Sequence, residues 1–159
     1  MEIRELKKYT QQEFTELKRL MSELTERINL EEKALEAVLK DTNSHLYTLR
    51  DQEKIIGCAT LCIFHSPTGC KASIEDVVVS TDYRGKHLGR LLMNHLLKEA
   101  QLLAPIEIQL TSKPQRIPAN GLYQALGFQR KETNVYRMTI SPNKNNIDCL
   151  LYTSPSPRD

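Results

Sequence analysis

The stretch that decides the fold is IEDVVVSTDYRGKHLGRLL, residues 74–92. Its first part is rich in branched apolar side chains, and the run at residues 77–79 predicts a strand buried on both faces. A basic turn with glycines follows. From Leu88 onward, leucines recur at helical spacing, which predicts one apolar stripe on a helix. The stretch therefore predicts a strand, a basic turn and a helix in succession.

The turn between this strand and this helix has the features of a phosphate-binding loop. Gly85 and Gly89 lack a Cβ, so ligand atoms can approach the backbone closely. The N–H groups at a helix start have no intrahelical partners. Arg84, Lys86 and Arg90 add three positive charges to the positive end of the helix dipole. A pyrophosphate is the ligand that this arrangement favours, although a basic helix start is also often a solvated cap.

Outward from this stretch, the period of the apolar residues switches between helix and strand and predicts a mixed α/β domain. Proline at position 105 is expected to stop the helix that follows the basic turn. In chain order, we predict a strand at residues 3–6, helices at 14–28 and 30–38, a hairpin of strands at 45–50 and 55–64, a strand at 74–79, a helix at 88–104, a strand at 106–110, a helix at 119–126 and a final strand at 135–140.

The composition is that of one globular domain. The chain has 159 residues, 40% of them hydrophobic, with 22 Lys and Arg against 20 Asp and Glu, which argues against wholesale disorder. A net charge of +2 is too mild to indicate a nucleic-acid partner. No apolar run approaches the roughly 20 residues of a membrane span, and no signal core is visible at the N-terminus. We therefore expect a cytoplasmic protein without a nucleic-acid or membrane partner.

The cysteines and the last residues carry no site in this interpretation. The four cysteines show neither Cys-x-x-Cys pairing nor a histidine at zinc spacing, so we expect reduced thiols and no metal. Residues 1–140 form the predicted domain. Residues 141–159 combine breaker residues with Ser-Pro repeats and are expected to be a disordered or non-native tail.

A second motif lies near the end of the predicted domain. Residues 118–128 read PANGLYQALGF, and Asn120 and Tyr123, three positions apart, share one helix face. A tyrosine here is also consistent with a ring packed in the core and a hydroxyl at the surface. Gly127 is expected to end the helix in a left-handed conformation.

Both motifs resemble the GNAT superfamily of N-acetyltransferases. The turn RGKHLG is similar to the Arg/Gln-x-x-Gly-x-Gly/Ala loop that binds the pyrophosphate of acetyl-coenzyme A (acetyl-CoA) in that superfamily. Residues 118–128 are similar to its Ala-Asn-x-x-Tyr-x-x-x-Gly-Phe segment. The resemblance extends from residue 1 to about 140. It implies a GNAT-type α/β (α+β) fold, with a mixed, mainly antiparallel sheet that is flanked by helices and splayed between its fourth and fifth strands. His87 departs from the pattern because it stands where the first glycine is usual, and it is strained if that position needs positive φ.

The resemblance also implies an activity: transfer of an acetyl group from acetyl-CoA directly to an amine in a ternary complex. Tyr123 is then the candidate general acid that protonates the departing thiolate. The residues that the resemblance places against the coenzyme are Val77, Val78, Val79, Arg84, Gly85, Lys86, His87, Leu88, Gly89, Arg90, Asn120 and Tyr123.

Glu75 and Asp76 are the candidate general bases, because both lie just upstream of the coenzyme segment. Regular alternation points them to opposite faces, so only one can face the substrate. Alternatively, they pair with basic neighbours and steer charge. The identity of the amine acceptor and the existence of a homodimer stay open. The alternative function is a non-catalytic module that binds an acyl-CoA as a sensor or scaffold.

Overall fold

The structure, a computed structural model, describes residues 1–142. The chain divides into two units, Met1–Gln129 and Arg130–Asp159, and the helices and strands of the described residues all lie in the first. They are β1 (Glu2–Glu5), α1 (Gln11–Leu24), α2 (Glu32–Lys40), β2 (Ser44–Asp51), β3 (Lys54–Ser66), β4 (Gly69–Val79), a short 3-10 helix (Thr81–Tyr83), α3 (Leu88–Gln101), β5 (Glu107–Gln109) and α4 (Ile117–Ala125).

The five strands form one mixed sheet in the order β1-β2-β3-β4-β5. Neighbours are antiparallel from β1 to β4, and β4 pairs with β5 in parallel. Tight turns join β2 to β3 and β3 to β4, where Asp51 pairs with Lys54 and Ser66 with Gly69. The predicted mainly antiparallel α/β architecture is confirmed.

The parallel pair is short, and this opens the sheet. Its partners are Lys71 with Glu107, Ala72 with Ile108, and Ser73 with Gln109. Beyond Ser73, β4 continues to Val79 while β5 has ended. The predicted splay between the fourth and fifth strands is therefore confirmed, and one edge of β4 is left without a β5 partner along residues 74–79.

Helices cover both faces of the sheet and create two buried cores. On one face, α3 supplies Leu92, Met93 and Leu96 to a cluster with residues of β2, β3 and β4. On the other face, α1 and α2 pack on β2 and β3. In β4, Val77 and Val79 contact the first cluster and Val78 belongs to the second. Both faces of the run thus contact a core, as predicted, but burial is complete only at Val78, and Val77 and Val79 are half-buried.

Two helices end earlier than their apolar stripes predict. The first prediction included Ile28, but α1 ends at Leu24, Thr25 is extended, and Ile28 is 50% exposed. The stripe from Leu88 was predicted to continue through residue 104, but α3 ends at Gln101. The next three residues form hydrogen-bonded turns of the 3-10 type that lead to Pro105.

The predicted final strand at residues 135–140 is wrong for the described chain. Residues 130–142 contain no helix or strand, and the side chains that suggested the strand are mostly exposed: Val135, Tyr136, Met138 and Ile140. Alternating apolar residues form a strand only when a neighbouring strand or a packed face stabilises them. The predicted tail falls almost wholly on residues 143–159, which lie outside the described residues.

Candidate active site

The chain enters α3 through two left-handed residues. Gly85 has φ +81°, and His87, the residue that precedes the helix, has φ 59° and ψ 24°. His87 therefore has the positive φ at which a residue with a Cβ is strained. Left-handed backbone costs a residue with a Cβ roughly 1–2 kcal/mol. This backbone, together with the exposed side chain of His87, brings the turn's peptide groups to the surface.

The N-terminus of α3 is uncapped, unlike that of α1. In α1, the Thr10 side chain accepts from Glu13 N–H and the Glu13 carboxylate accepts from Thr10 N–H, which satisfies the first amides. In α3, no side chain caps the helix and no acidic residue lies in its first turn. Its first backbone bond runs from Leu91 N–H to His87 O at 3.2 Å. The amides before Leu91 therefore have no helical acceptor and can bind an anion.

Three exposed cations surround this open helix end. Arg84 Nε donates to the Val79 carbonyl at 3.3 Å, which ties the guanidinium to the end of β4. Lys86 Nζ lies 5.3 Å from the ring centre of Tyr83, within the range of a cation–π contact. Arg90 extends from the first turn of α3. Among residues 1–142, none of these three cations pairs with a carboxylate, so their charges are available to a ligand.

A β-bulge interrupts β4 at Asp76. Cys58 pairs with Val78 and Thr60 with Glu75, so one residue of β3 faces two of β4. Asp76 has φ 53°, a left-handed conformation that aspartate tolerates better than most residues. The regular alternation that would send Glu75 and Asp76 to opposite faces is therefore lost here, since a bulge re-aims side chains.

The electrostatics around the bulge single out Asp76. Asp76 is exposed, but partial desolvation by the surrounding chain and the neighbouring Glu75 carboxylate raise its pKa above the usual range, since desolvation disfavours the charged form and Glu75 repels it. Glu75 accepts a hydrogen bond from the Ser73 hydroxyl. Burial raises the pKa of the Cys58 thiol to about 12, with a further contribution from Asp76. Cys58 is therefore a neutral core residue rather than a nucleophile.

On the far side of the opening, α4 places Asn120 and Tyr123 as the sequence predicts, on one helix. Asn120 Nδ2 donates to the Lys113 carbonyl at 2.9 Å, which holds the preceding loop. Tyr123 is only 6% exposed and lies edge-on to Phe128, with ring centres 6.2 Å apart. Burial raises the pKa of Tyr123, while Arg116 opposes the rise. Gly127, with φ +103°, follows the helix as predicted.

Four of the twelve predicted coenzyme residues meet in the core under α3, whereas Val78 belongs to the core on the other face of the sheet. Val77, Val79 and Leu88 contact one cluster together with Tyr123 and Leu122. A Cβ at Gly89 would lie 3.5 Å from Leu122 Cδ2, an ordinary contact, so α4 packs directly on the start of α3. The end of β4, the start of α3 and one face of α4 therefore border the same opening.

Two features of this region were missed by sequence reasoning. The first is the bulge at Asp76, for which the only available signal was an aspartate, a residue tolerant of positive φ, within an apolar strand. The second is the loop residue Ser112, whose hydroxyl is buried without a hydrogen-bond partner in the described part of the chain. Burial of a loop residue has no periodic signal in the sequence.

The described part of the chain has a further surface cavity, but neither a cluster of metal-binding side chains nor a membrane-spanning helix. Within residues 1–142, no group of three or more metal-binding side chains converges, and none of the helices there is both long enough and apolar enough to cross a membrane. A surface cavity of about 330 Å³ lies elsewhere, lined by Lys7, Lys8, Tyr9, Glu36, Leu39 and Lys40.

Comparison with known proteins points to one family. The sequence pattern of the acetyltransferase (GNAT) family matches residues 5–128. A Drosophila melanogaster protein described as a "Probable glucosamine 6-phosphate N-acetyltransferase" is 34% identical over 92 residues, which are 56% of this chain and 41% of that protein. The ribosomal protein bS18-alanine N-acetyltransferase of Salmonella typhimurium is 25% identical over 85 residues, 54% of this chain and 56% of that one. The chain thus spans about half the length of these curated relatives.

A solved structure has a similar fold. An aminoglycoside acetyltransferase from an uncultured soil metagenomic sample superposes with a TM-score of 0.75 at 18% identity, over 89% of this chain and 96% of that chain. At this identity the likeness concerns the fold alone.

Proposed function

The chain belongs to the acetyltransferase (GNAT) family, and from this premise we propose that it is an acetyl-CoA-dependent N-acetyltransferase acting directly on an amine in a ternary complex. One observation carries the proposal: the uncapped, left-handed entry to α3, with its three exposed cations, adjoins the open edge of β4. The phosphates of the donor would bind at the helix start, and its extended acyl arm would lie along the open edge of β4, so the two surfaces have to be adjacent.

The residues present fit both the phosphates and the extended arm of the donor. Arg84, Lys86 and Arg90 would neutralise phosphate oxygens, while the free amides at the start of α3 would donate to them. The backbone of residues 77–79 would bond the amides of the arm as a neighbouring strand does. When bound, the donor supplies an acetyl group activated as a thioester.

Tyr123 is the proposed general acid. Its ring is held by the core and by Phe128. The phenol is protonated at neutral pH, as for an ordinary tyrosine, and burial raises its pKa further. A protonated phenol can give its proton to a thiolate as it departs, whereas phenylalanine cannot.

Of the two candidate bases, Asp76 has the more suitable environment. Its raised pKa makes the carboxylate a stronger proton acceptor than an ordinary aspartate, and a base works best when its pKa approaches the working pH. Glu75 raises that pKa by its charge. We propose that Asp76 accepts the proton of the amine, directly or through water, and that Glu75 is the second candidate.

The acceptor in this proposal is an amine, and the molecule that carries the amine is not specified. The relatives are named for different acceptors, a sugar phosphate and a ribosomal protein alanine. The chain matches only 41% and 56% of their lengths, so neither acceptor transfers to it.

The proposal is tested by incubating the full chain with acetyl-CoA and a panel of amines while free thiol is measured. The panel contains an amino sugar phosphate, an aminoglycoside, amino acids and peptides with free N-termini. We expect acetyl-CoA to raise the melting temperature and at least one amine to release thiol. Binding without thioester cleavage across the panel would indicate the non-catalytic module instead. Absence of binding would refute the proposal.

A substitution separates binding from chemistry. Tyr123→Phe should retain the rise in melting temperature with acetyl-CoA, whereas turnover should fall by about 10²–10⁴-fold, the usual contribution of a general acid. Tyr9→Phe is the matched control, because the Tyr9 hydroxyl bonds Glu32 and Glu36 on α2. Equal loss of binding and turnover in Tyr123→Phe would remove the acid role.

A further inference from the structure

The 3-10 helix Thr81–Tyr83 joins the end of β4 to the basic turn, and α1 holds its first two residues. Glu23 on α1 accepts hydrogen bonds from the Thr81 N–H and from the Thr81 hydroxyl, both at 3.3 Å. Asp82 pairs with Arg19 of α1, whose Nη2 lies 3.4 Å from Asp82 Oδ2. The basic turn therefore starts from a segment that is tied to α1.

Tyr83, the last residue of this 3-10 helix, is fixed at two points of its side chain. Its hydroxyl donates to Asp51 Oδ2 at 2.9 Å, in the turn that joins β2 to β3. Its ring is partly buried and packs against the core under α3. A ring that is hydrogen-bonded at one end and packed against apolar side chains is restricted in its orientation. The proposed function does not yet assign a role to this side chain.

The Tyr83 ring lies beneath the ammonium group of Lys86. Lys86 Nζ is 5.3 Å from the ring centre, a distance at which the face of an aromatic ring attracts a cation. A lysine side chain has high rotamer entropy, so an exposed ammonium group without a partner samples many positions. Lys86 forms no ion pair with a carboxylate of residues 1–142. The ring therefore restrains a cation that no carboxylate of these residues holds.

We propose that Tyr83 is a positioning residue, whose ring holds the Lys86 ammonium group beside the open start of α3 so that it can bind the phosphates of the donor. This inference rests on the proposed function and adds to it a residue that acts through another side chain. The ammonium group has three donors, so it can keep its contact with the ring while it donates to phosphate oxygens. Because the lysine is already ordered, less conformational entropy is lost when the donor binds.

The test measures the affinity of the full chain for coenzyme A by calorimetric titration. Tyr83→Leu should weaken binding about two- to fivefold, the factor that corresponds to an exposed cation–π contact. Tyr83→Phe keeps the ring and should retain most of the affinity. In Lys86→Met, a further Tyr83→Leu substitution should have no additional effect, because the ring acts through the lysine. Phe14→Leu is the matched control and should leave the affinity unchanged, since Lys18 Nζ lies 6.0 Å from the Phe14 ring centre on α1.

A spectroscopic measurement detects the contact in the ligand-free protein. The ring current of Tyr83 should shift the NMR signals of the Lys86 side-chain methylene groups upfield. The shift should persist in Tyr83→Phe and disappear in Tyr83→Leu. Melting temperatures of the variants verify that each is folded under the conditions of the titration.

The possible failures are distinguishable. Equal affinity of wild type and Tyr83→Leu for coenzyme A, or the lack of an upfield shift at Lys86, would overturn the inference and leave the proposed function standing. A loss in Tyr83→Phe as large as that in Tyr83→Leu would also overturn it, and so would an undiminished effect of Tyr83→Leu in Lys86→Met. In either case Tyr83 would support the fold of the turn rather than the lysine. Failure of the wild type to bind coenzyme A would overturn the proposed function together with this inference.

Discussion

Asp76 is the residue at which the regular geometry of β4 breaks. Its positive φ and the register shift opposite it occur in a strand that is otherwise continuous from Gly69 to Val79. A bulge changes both the direction of a side chain and the availability of backbone groups. Residue type favoured Glu75 over Asp76 as the base, and the bulge with its electrostatics is the reason that we propose Asp76 instead.

The raised pKa of Asp76 predicts a pH-dependent stability. A carboxyl whose pKa is higher in the native state binds its proton more tightly there. The resulting stabilisation is complete below the unfolded value, near 3.8, and is lost as pH rises through the native value. Asp76→Asn should therefore be more stable than the wild type at pH 7. This difference in stability should shrink or vanish in acid, where the wild-type carboxyl is protonated. Thermal melts between pH 3 and 8 measure this difference.

The same residue predicts a change in the pH–rate profile. If Asp76 is the base, Glu75→Gln removes a like charge and should move the acidic limb of kcat/KM to lower pH. Asp76→Asn should abolish most of the activity. Asp82→Asn is the control, because Asp82 lies exposed on the 3-10 helix beside Arg19. An unmoved acidic limb in Glu75→Gln would argue against Asp76 as the base.

His87 carries a cost that glycine would avoid. At φ 59° its Cβ is strained, whereas glycine adopts this conformation readily but loses more entropy on folding. His87→Gly should therefore raise the free energy of unfolding by about 0.5–1 kcal/mol, and donor affinity should persist because the backbone amide remains. Urea denaturation measures the gain. His87→Ala keeps the Cβ and should show no gain; equal stability of the two variants would contradict the strain.

At the scale of elements, an ion pair joins α1 to β2, an inner strand of the sheet. Arg50, on β2, is 3% exposed, and its Nη2 lies 2.7 Å from Glu13 Oε2. The same guanidinium donates to the Thr48 hydroxyl and the Glu53 carbonyl. Glu13 also completes the capping box of α1. The Glu13 carboxylate thus both caps the start of α1 and pairs with the buried charge of Arg50.

Removal of this carboxylate should destabilise the whole protein. Glu13→Ala leaves the Arg50 charge buried without compensation and is expected to reduce the free energy of unfolding by about 3 kcal/mol. Burial would raise the pKa of Glu13, but the Thr10 N–H and Arg50 outweigh it and lower the pKa. The stabilisation is therefore present above the usual value of 4.5 and is lost as pH falls through the native one.

Urea denaturation at pH 7 and pH 3 measures both effects. The exposed neighbour Gln12 provides the control substitution Gln12→Ala, which should change the free energy of unfolding little. A cost of Glu13→Ala that is equally large at pH 3 would show that packing, rather than charge, maintains the contact.

At the scale of the whole molecule, the sheet and its two helical layers bring together the parts of the proposed site from distant positions in the chain. The parallel pairing of β5 with β4 stops at Ser73, so the last residues of β4 lie next to an opening. The core under α3 then brings α4, with Tyr123, to the same place. Neither motif by itself forms the site.

The sequence by itself determined most of the helices and strands of residues 1–129 and the positive charge of the turn before α3. Apolar periodicity and local signals such as Gly85, Pro105 and Gly127 depend on neighbours within a few residues, so they can be interpreted without a fold. The family resemblance supplied the mainly antiparallel sheet and its splay between the fourth and fifth strands, which the structure confirms.

Only the tertiary structure decided the bulge at Asp76, the burial of Ser112 and the absence of a strand at residues 135–140. Each depends on pairing or packing with residues far away in the chain. A bulge exists only relative to a partner strand, burial requires other elements, and a strand needs a neighbour to bond. Local sequence does not encode these partners, and for that reason the fine geometry of the site emerged from the assembled sheet.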